Sequence, residues 1–384
     1  MRCARVGFLL GALAFVLPAH AQGGAFSLSG FWETLASPPA GTPEPVNLTA
    51  QFNGRADLRW YPKNGWEGYA AVRYLSTYGG VVESTPGYAD LVARDSGWLD
   101  LTIPLVDGGD HVAYVNFDRL SIQHTVGRLE VQVGRQRVNW GVNFAWNPHD
   151  IFNASSFFDI TYIEKPGSDS IRARYYTGPV SAAETAVKVD FDNRVTAAGL
   201  FRTNIGGYDL QTFAGSIQGA FGAGFGWSGQ LASAGFNGEL VYYGAGGTGN
   251  VTEEQFIAAS GANYTFANSL MLTTEFIYNS LGTTDPVGRN PVLGTLFTDA
   301  RLLSRARWNV MLSASHQASP LTRLGLATVY NPDDRSAYLS PQVDYSMSNN
   351  ITLTVAGQLL YGDPLTQFSS DSGSSLFGWL KGSF

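Results

Sequence analysis

Apolar and polar side chains alternate with a period of two along almost the whole chain, and this pattern limits the possible folds more than any other feature. Gln51, Asn53, Arg55, Asp57 and Arg59 share one parity, while Phe52, Ala56, Leu58 and Trp60 share the other. Arg172 and Arg174 alternate in the same way with Ile171, Ala173 and Tyr175, and Thr352, Thr354 and Gln358 with Ile351, Leu353 and Val355. Successive side chains of a strand point to opposite faces, so each such stretch reads as a strand with one apolar and one polar face. Helical periodicity is almost absent. Beyond its start the chain has no run of the roughly 18 apolar residues that a membrane-spanning helix needs.

The composition indicates which medium meets which face. Charged residues make up only 14% of the chain, against roughly 25% in soluble domains. The polar faces favour Arg, Gln, Asn, Ser and Thr over Lys, as a wet interior would. Aromatics gather at strand ends: Trp60 and Tyr61, Trp66, Tyr74 and Tyr78, Tyr175 and Tyr176, Tyr242 and Tyr243, and Tyr361. Interfacial girdles have that distribution. The aromatic content excludes a disordered chain, and a formal charge of −7 argues against a nucleic-acid binder.

The first residues read as an export signal. Arg2 and Arg5 precede the apolar stretch Val6 to Leu17, Pro18 ends it, and Ala19-His20-Ala21 offers a small-x-small cleavage site. The expected division is a signal peptide over 1–21 and one barrel domain over 22–384. Cys3, the single cysteine, falls in the signal, so neither a disulfide nor a thiolate metal site is expected. The expected fold is all-β: a closed antiparallel transmembrane barrel of about 18 strands, with sixteen as the alternative count. Short turns are expected at Gly178-Pro179, Asn204 to Gly207, Ser319-Pro320 and Ser348 to Asn350. Long connections are expected over Gly80 to His111, Asn139 to Ser168, Gly244 to Glu254, Leu281 to Ser304 and Gly362 to Ser374. The glycine-rich stretch Gly215 to Gly238 has the weakest pattern.

Over its mature length the chain resembles the Gram-negative outer-membrane β-barrels, and among them the porins. Phe384 is the terminal residue, with Leu380 and Leu376 at the alternating positions before it, although Gly382 stands where a bulky apolar residue is usual. The resemblance implies an outer-membrane location in a bacterial cell, contact with membrane lipid, and recognition of Phe384 by the barrel-assembly machinery. It also implies that the third extracellular loop, 139–168, folds inward as a constriction bearing Trp140, Trp146, Asn147, His149, Asp150, Phe157 and Phe158. Gly134-Arg135-Gln136-Arg137 precedes that loop. A homotrimer is a further expectation, with the second loop, Gly80 to His111, latching a neighbour.

Inward parity selects Arg55, Asp57, Arg59, Arg73, Arg128, Glu130, Arg172, Arg174, Glu184, Arg202, Glu275, Arg305 and Arg307 as pore-lining, with Glu239 and Asp344 as further carboxylates. Arginine keeps its charge at physiological pH, so this wall implies a mild anion preference. Mutual neutralisation of Arg55, Asp57 and Arg59, or of Arg128 and Glu130, is the competing reading. Catalysis has thin support: His316 near Ser313 and Ser315, and His149-Asp150 with Ser155 and Ser156, lack an orienting third group. No enzyme, metal or cofactor is expected. The expected function is a porin for passive diffusion of small hydrophilic solutes. The alternatives are a channel specific for oligosaccharides or hydrophobic compounds, using Trp140, Trp146, Phe157 and Phe158 as a stacking surface, and a plugged structural or adhesive barrel.

Overall fold

The computed structural model describes residues 26–37, 48–158, 164–165, 167–249, 251–286 and 299–384. The expected signal peptide lies outside the described residues, as does a short part of 139–168. The strands are β1 (Phe26–Ser37), β2 (Thr49–Trp60), β3 (Trp66–Gly79), β4 (Thr102–Gly108), β5 (His111–Val126), β6 (Leu129–Gln136), β7 (Ser168–Gly178), β8 (Ser181–Val189), β9 (Val195–Ile205) and β10 (Tyr208–Ile217). They continue with β11 (Ala220–Leu231), β12 (Ala234–Tyr243), β13 (Gln255–Thr265), β14 (Leu270–Asn279), β15 (Trp308–Ser319), β16 (Thr322–Asn331), β17 (Ser336–Ser348), β18 (Ile351–Tyr361) and β19 (Ser375–Ser383). All pairings between these strands are antiparallel, and β1 pairs with both β2 and β19, so the sheet closes. Phe384 completes the seam by exchanging both backbone hydrogen bonds with Gly30.

Eighteen of the described strands form the wall. The exception is β4, which pairs only with His111–Asn116 of β5, above the point where β6 stops pairing with β5 at Leu120. One end of the barrel carries two-residue turns such as Gly127-Arg128, Gly206-Gly207 and Asn349-Asn350; the other carries the long connections. The positive φ of Gly127, Gly206 and Gly207 is what these turns require. The expected turns fall between consecutive strands, and the described parts of the expected long connections lie between strand ends, Gly80 to His111 also containing β4 and two short helices. In the weakly patterned stretch, Gly215 to Gly238, the structure resolves the end of β10, all of β11 and the start of β12.

The outer face is apolar and exposed, with Leu58, Ile122, Ile171, Phe201, Phe225, Leu312, Leu326 and Val355 among its residues. An apolar exterior on an edgeless sheet suits hydrocarbon, because closure leaves no free strand edge facing lipid. At the long-loop end Tyr278 and Trp308 lie 4.7 Å apart, and at the turn end Phe26 stacks on Trp60. Tyr243 departs from the expected girdle: it faces inward, fully buried, and its hydroxyl donates to the Pro148 carbonyl.

One irregularity resets the alternation. Between β3 and β5 the register jumps from Ala71↔Arg119 to Val72↔Phe117, leaving Asp118 as an extra residue. This bulge turns Asp118 and Arg119 inward as consecutive buried residues.

Candidate functional site

The second loop folds onto its own barrel. Its helices α1 (Gly80–Ser84) and α2 (Tyr88–Val92) contribute Val82, Val81, Tyr88 and Val92 to a cluster with Leu75, Val112 and Tyr114 of the inner wall. The stretch 94–101 then passes over β6 and β7. Arg135 holds it there: its guanidinium donates to Asp95 (2.7 Å), to both Asp169 oxygens (2.8 and 2.9 Å) and to the Leu99 carbonyl. Burial raises the Asp95 carboxyl, but the Arg135 contact and the Gly97 and Leu101 N–H groups outweigh it and hold the group below its ordinary value. Trp98 reaches Asn193 in the connection between β8 and β9. This loop fills the low stretch of wall that the short β6 leaves, with Leu91, Trp98 and Leu99 still exposed on it.

The third loop folds into the barrel and lies along the inner wall from β8 to β18. Val138, Trp140, Trp146, Ile151 and Phe152 pack with Leu200, Phe213, Tyr243, Ile257, Ile277 and Met311 of the wall. Polar wall residues fix its backbone. Glu275 accepts N–H groups from Phe144, Ala145 and Trp146, and Glu239 accepts those of Val142 and His149. Trp140 Nε1 donates to Glu184 (2.7 Å), and the Gln211 amide donates to the Trp140 carbonyl. At the stem Asn153 joins the Val138 N–H to Ser168, and Lys188 donates to the Phe152 carbonyl. Asn147 accepts the Asn143 N–H, and its carbonyl accepts the Asp150 N–H, which closes the tight turn.

His149 sits beside Gln211 through Nδ1 and beside the Leu240 carbonyl through Nε2, and burial lowers its pKa to about 4. It is neutral at physiological pH, and among the described residues its ring bonds to Gln211 and the Leu240 carbonyl rather than to Ser155 or Ser156. Asp150 is buried, and the backbone N–H of Trp140 is the donor that faces its carboxyl. Burial pushes its pKa up to about 7, partly opposed by the charges of Lys165 and Arg137, the Trp140 N–H and the charge of Lys188. Phe158 packs on Tyr338 (5.2 Å) and Phe368 (5.7 Å), and Phe157 meets the ring of Phe144.

The arginines of the opposite wall are mostly paired. Arg55 donates to Asp57 (2.9 Å) and Asp118 (2.7 Å), and Arg73 approaches Asp118 at 3.9 Å. Arg59 pairs with Glu67 and lies over the Tyr69 ring, Arg172 pairs with Glu130, and Arg174 with Glu184. Arg202 has no ion pair among the described residues.

Some sites differ from their expected positions. Arg128 lies in the Gly127-Arg128 turn at the rim rather than on a strand. Arg305 and Arg307 precede β15 in a loop, where Arg307 Nε donates to the Gly282 carbonyl. Glu184 and Glu275 face inward but are spent on the third loop, each buried beneath it. Trp140 and Trp146, 1% and 3% exposed, are wedged between loop and wall, so neither is available as a stacking surface. His316 has the opposite parity to Ser313 and Ser315 on β15 and so faces away from them.

Alternation alone could not locate Asp118 and Arg119, which the bulge turns inward, or Arg135, which acts on the second loop. Their sequence signals were the Asp118-Arg119 pair and the arginine-rich run before the third loop.

No family model and no curated protein matches the sequence. Among solved structures, the barrel resembles Acinetobacter baumannii OccAB3, at 10% identity and a TM-score of 0.59, covering 94% of this chain and 99% of that one. It also resembles Acinetobacter baumannii OccAB1, at 12% identity and a TM-score of 0.56, covering 94% and 96%. A triple mutant of Rhodopseudomonas blastica porin aligns at 12% identity and a TM-score of 0.50, covering 94% and 100%. The chain has the fold of an outer-membrane porin-like barrel.

Proposed function

We propose that this barrel is an outer-membrane channel for passive diffusion of small hydrophilic solutes, with a mild preference for anions. The observation that carries the reading is the third loop, held against the wall from β8 to β18 while the arginine-bearing strands β2, β3, β5 and β7 are left uncovered by it. A passing ion exchanges part of its hydration for the charged wall, and guanidinium groups that keep their charge favour anions without trapping them. Paired arginines contribute little to the net field, so Arg202 weighs most. Arg55, Asp57, Arg59, Arg73, Glu130, Arg172 and Arg174 then line the path as a near-balanced lattice.

On this reading residues 1–21 direct export, residues 22–384 form the barrel, and Phe384 is the residue the assembly machinery reads. A homotrimer would join through the outer wall and the exposed apolar residues of the second loop, Leu91, Trp98 and Leu99.

Planar-bilayer recording in a salt gradient tests the proposal. Discrete steps with an anion-side reversal potential support it; a cation-side potential rejects the selectivity. Electrical silence from protein whose gel mobility is heat-modifiable rejects the channel and favours a plugged structural barrel.

A further inference from the structure

Among the described residues of the third loop, Phe144 is the one large apolar side chain that is exposed: 59%, while its neighbours Trp140 and Trp146 are buried. Its backbone N–H is bonded to Glu275 on the inner wall (2.9 Å), so the ring stands inside the barrel and faces the lumen. Phe157 supports its edge at 5.8 Å. The adjacent Asn143 accepts a hydrogen bond from Asn237 of β12, which fixes an amide pair beside the ring.

The strand registers show what surrounds it. Glu275 is level with Gly261, and Gly261 with Asn237. The next inward row toward the turn end runs Gly235, Asn263, Thr273, Ser313, Ala327, Ser340. The row below it carries Thr265, Met271, Ser315, Gly325 and Gln342. Neither row holds a charge. Hydroxyls, amides and glycines, with Ala327 and Met271 among them, thus line these two rows below the Phe144 ring; one ion pair, Arg323 with Asp344, lies in the row beneath, and the other ion pairs lie on other parts of the wall.

We propose that Phe144 and this uncharged wall form a contact site for neutral saccharides. A pyranose ring has an apolar C–H face that stacks on an aromatic ring and an equatorial rim of hydroxyls that exchange hydrogen bonds with amides and hydroxyls. A hydrocarbon solute would find one ring and no continuous apolar path; an ion would find no charged partner in these two rows, the nearest being the Arg323–Asp344 pair beneath them. The inference rests on the channel reading above and assigns a solute class to it.

The test is current block of protein purified from the membranes of an expressing cell, with maltotriose as the probe and a polyethylene glycol of similar size as control. Saturable block by maltotriose and not by the glycol is expected. Phe144→Ser should weaken that block about three- to tenfold while changing salt conductance less than about twofold, and Phe144→Trp should retain it. Absence of saturable block, or block unchanged in Phe144→Ser, overturns the site. Block by an aromatic anion such as 4-nitrobenzoate without block by maltotriose overturns the solute class. Absence of any current overturns the channel reading itself, and this inference with it.

Discussion

Trp146 and Glu275 lie 129 positions apart in sequence and 2.6 Å apart across one hydrogen bond, in which the Trp146 N–H donates to the Glu275 carboxylate. With the Phe144 and Ala145 N–H groups on the same carboxylate, the turn of the third loop becomes a cradle for a wall side chain. A buried acceptor serving three donors costs far more to remove than an exposed one, because each orphaned donor keeps its desolvation penalty. Glu275→Ala should therefore destabilise the docked loop by about 2–4 kcal/mol. Larger open-channel noise and a lower midpoint of heat-modified gel mobility are the readouts. Noise and midpoint equal to those of the unaltered protein would show that apolar packing alone holds the loop.

Arg135 is the corresponding anchor of the second loop. Arg135→Ala leaves Asp95 and Asp169 as buried carboxylates without their cation, a loss of the kind that costs about 3–5 kcal/mol. Protease added from outside should cut within 94–101 in this variant and leave the parent intact. Asp95 has a lowered pKa, so its contribution is present above the ordinary carboxylate value and fades as the pH falls through the depressed one. Cleavage of the parent should thus increase only in strong acid.

Much of the fold was legible because a barrel wall between lipid and water imposes one rule on every strand, and Leu58 beside Arg59 or Ile171 beside Arg172 obeys it openly. The exceptions arise where a third environment enters. Tyr243 and Glu275 face inward as their parity requires, yet they meet the third loop rather than water. Trp140 and Trp146 have the composition of a stacking surface, but their burial is decided by contacts with strands 44 to 129 positions away. Arg305 and Arg307 share the parity of a strand that begins only at Trp308. The Asp118 bulge is a local slip in pairing between β3 and β5, which no single-strand pattern contains.

Arg202 separates the charge-lattice reading from the selective one. Arg172 and Arg174 each neutralise a carboxylate, so replacing either one changes the local charge but also frees Glu130 or Glu184. Arg202→Glu changes the wall by two charges without breaking an ion pair among the described residues. The reversal potential should move toward cations more than it does for Arg323→Gln, whose guanidinium is exposed and shared with Asp344. Equal small shifts for both would mean that the field is set elsewhere.

Asp150 gives the third loop a pH dependence whose sign follows from its burial. The carboxyl has a pKa of about 7 in the folded barrel against 3.8 for the free group, so folding favours its neutral form. An acid whose pKa is raised on folding binds more protons in the folded state. Its stabilising effect is complete below about 4 and is lost as the pH rises through about 7. Its surroundings are the cations Lys165, Arg137 and Lys188, which soften the penalty but do not remove it. His149, next to it, stays neutral above about pH 5 and adds nothing to this window. Asp150→Asn keeps the shape and discards the titration. The variant should be more heat-resistant than the parent at pH 8.5, with the difference shrinking toward pH 5; a difference that grows toward acid would mean that Asp150 is held ionised by its lysines and acts as an ion-pair partner instead.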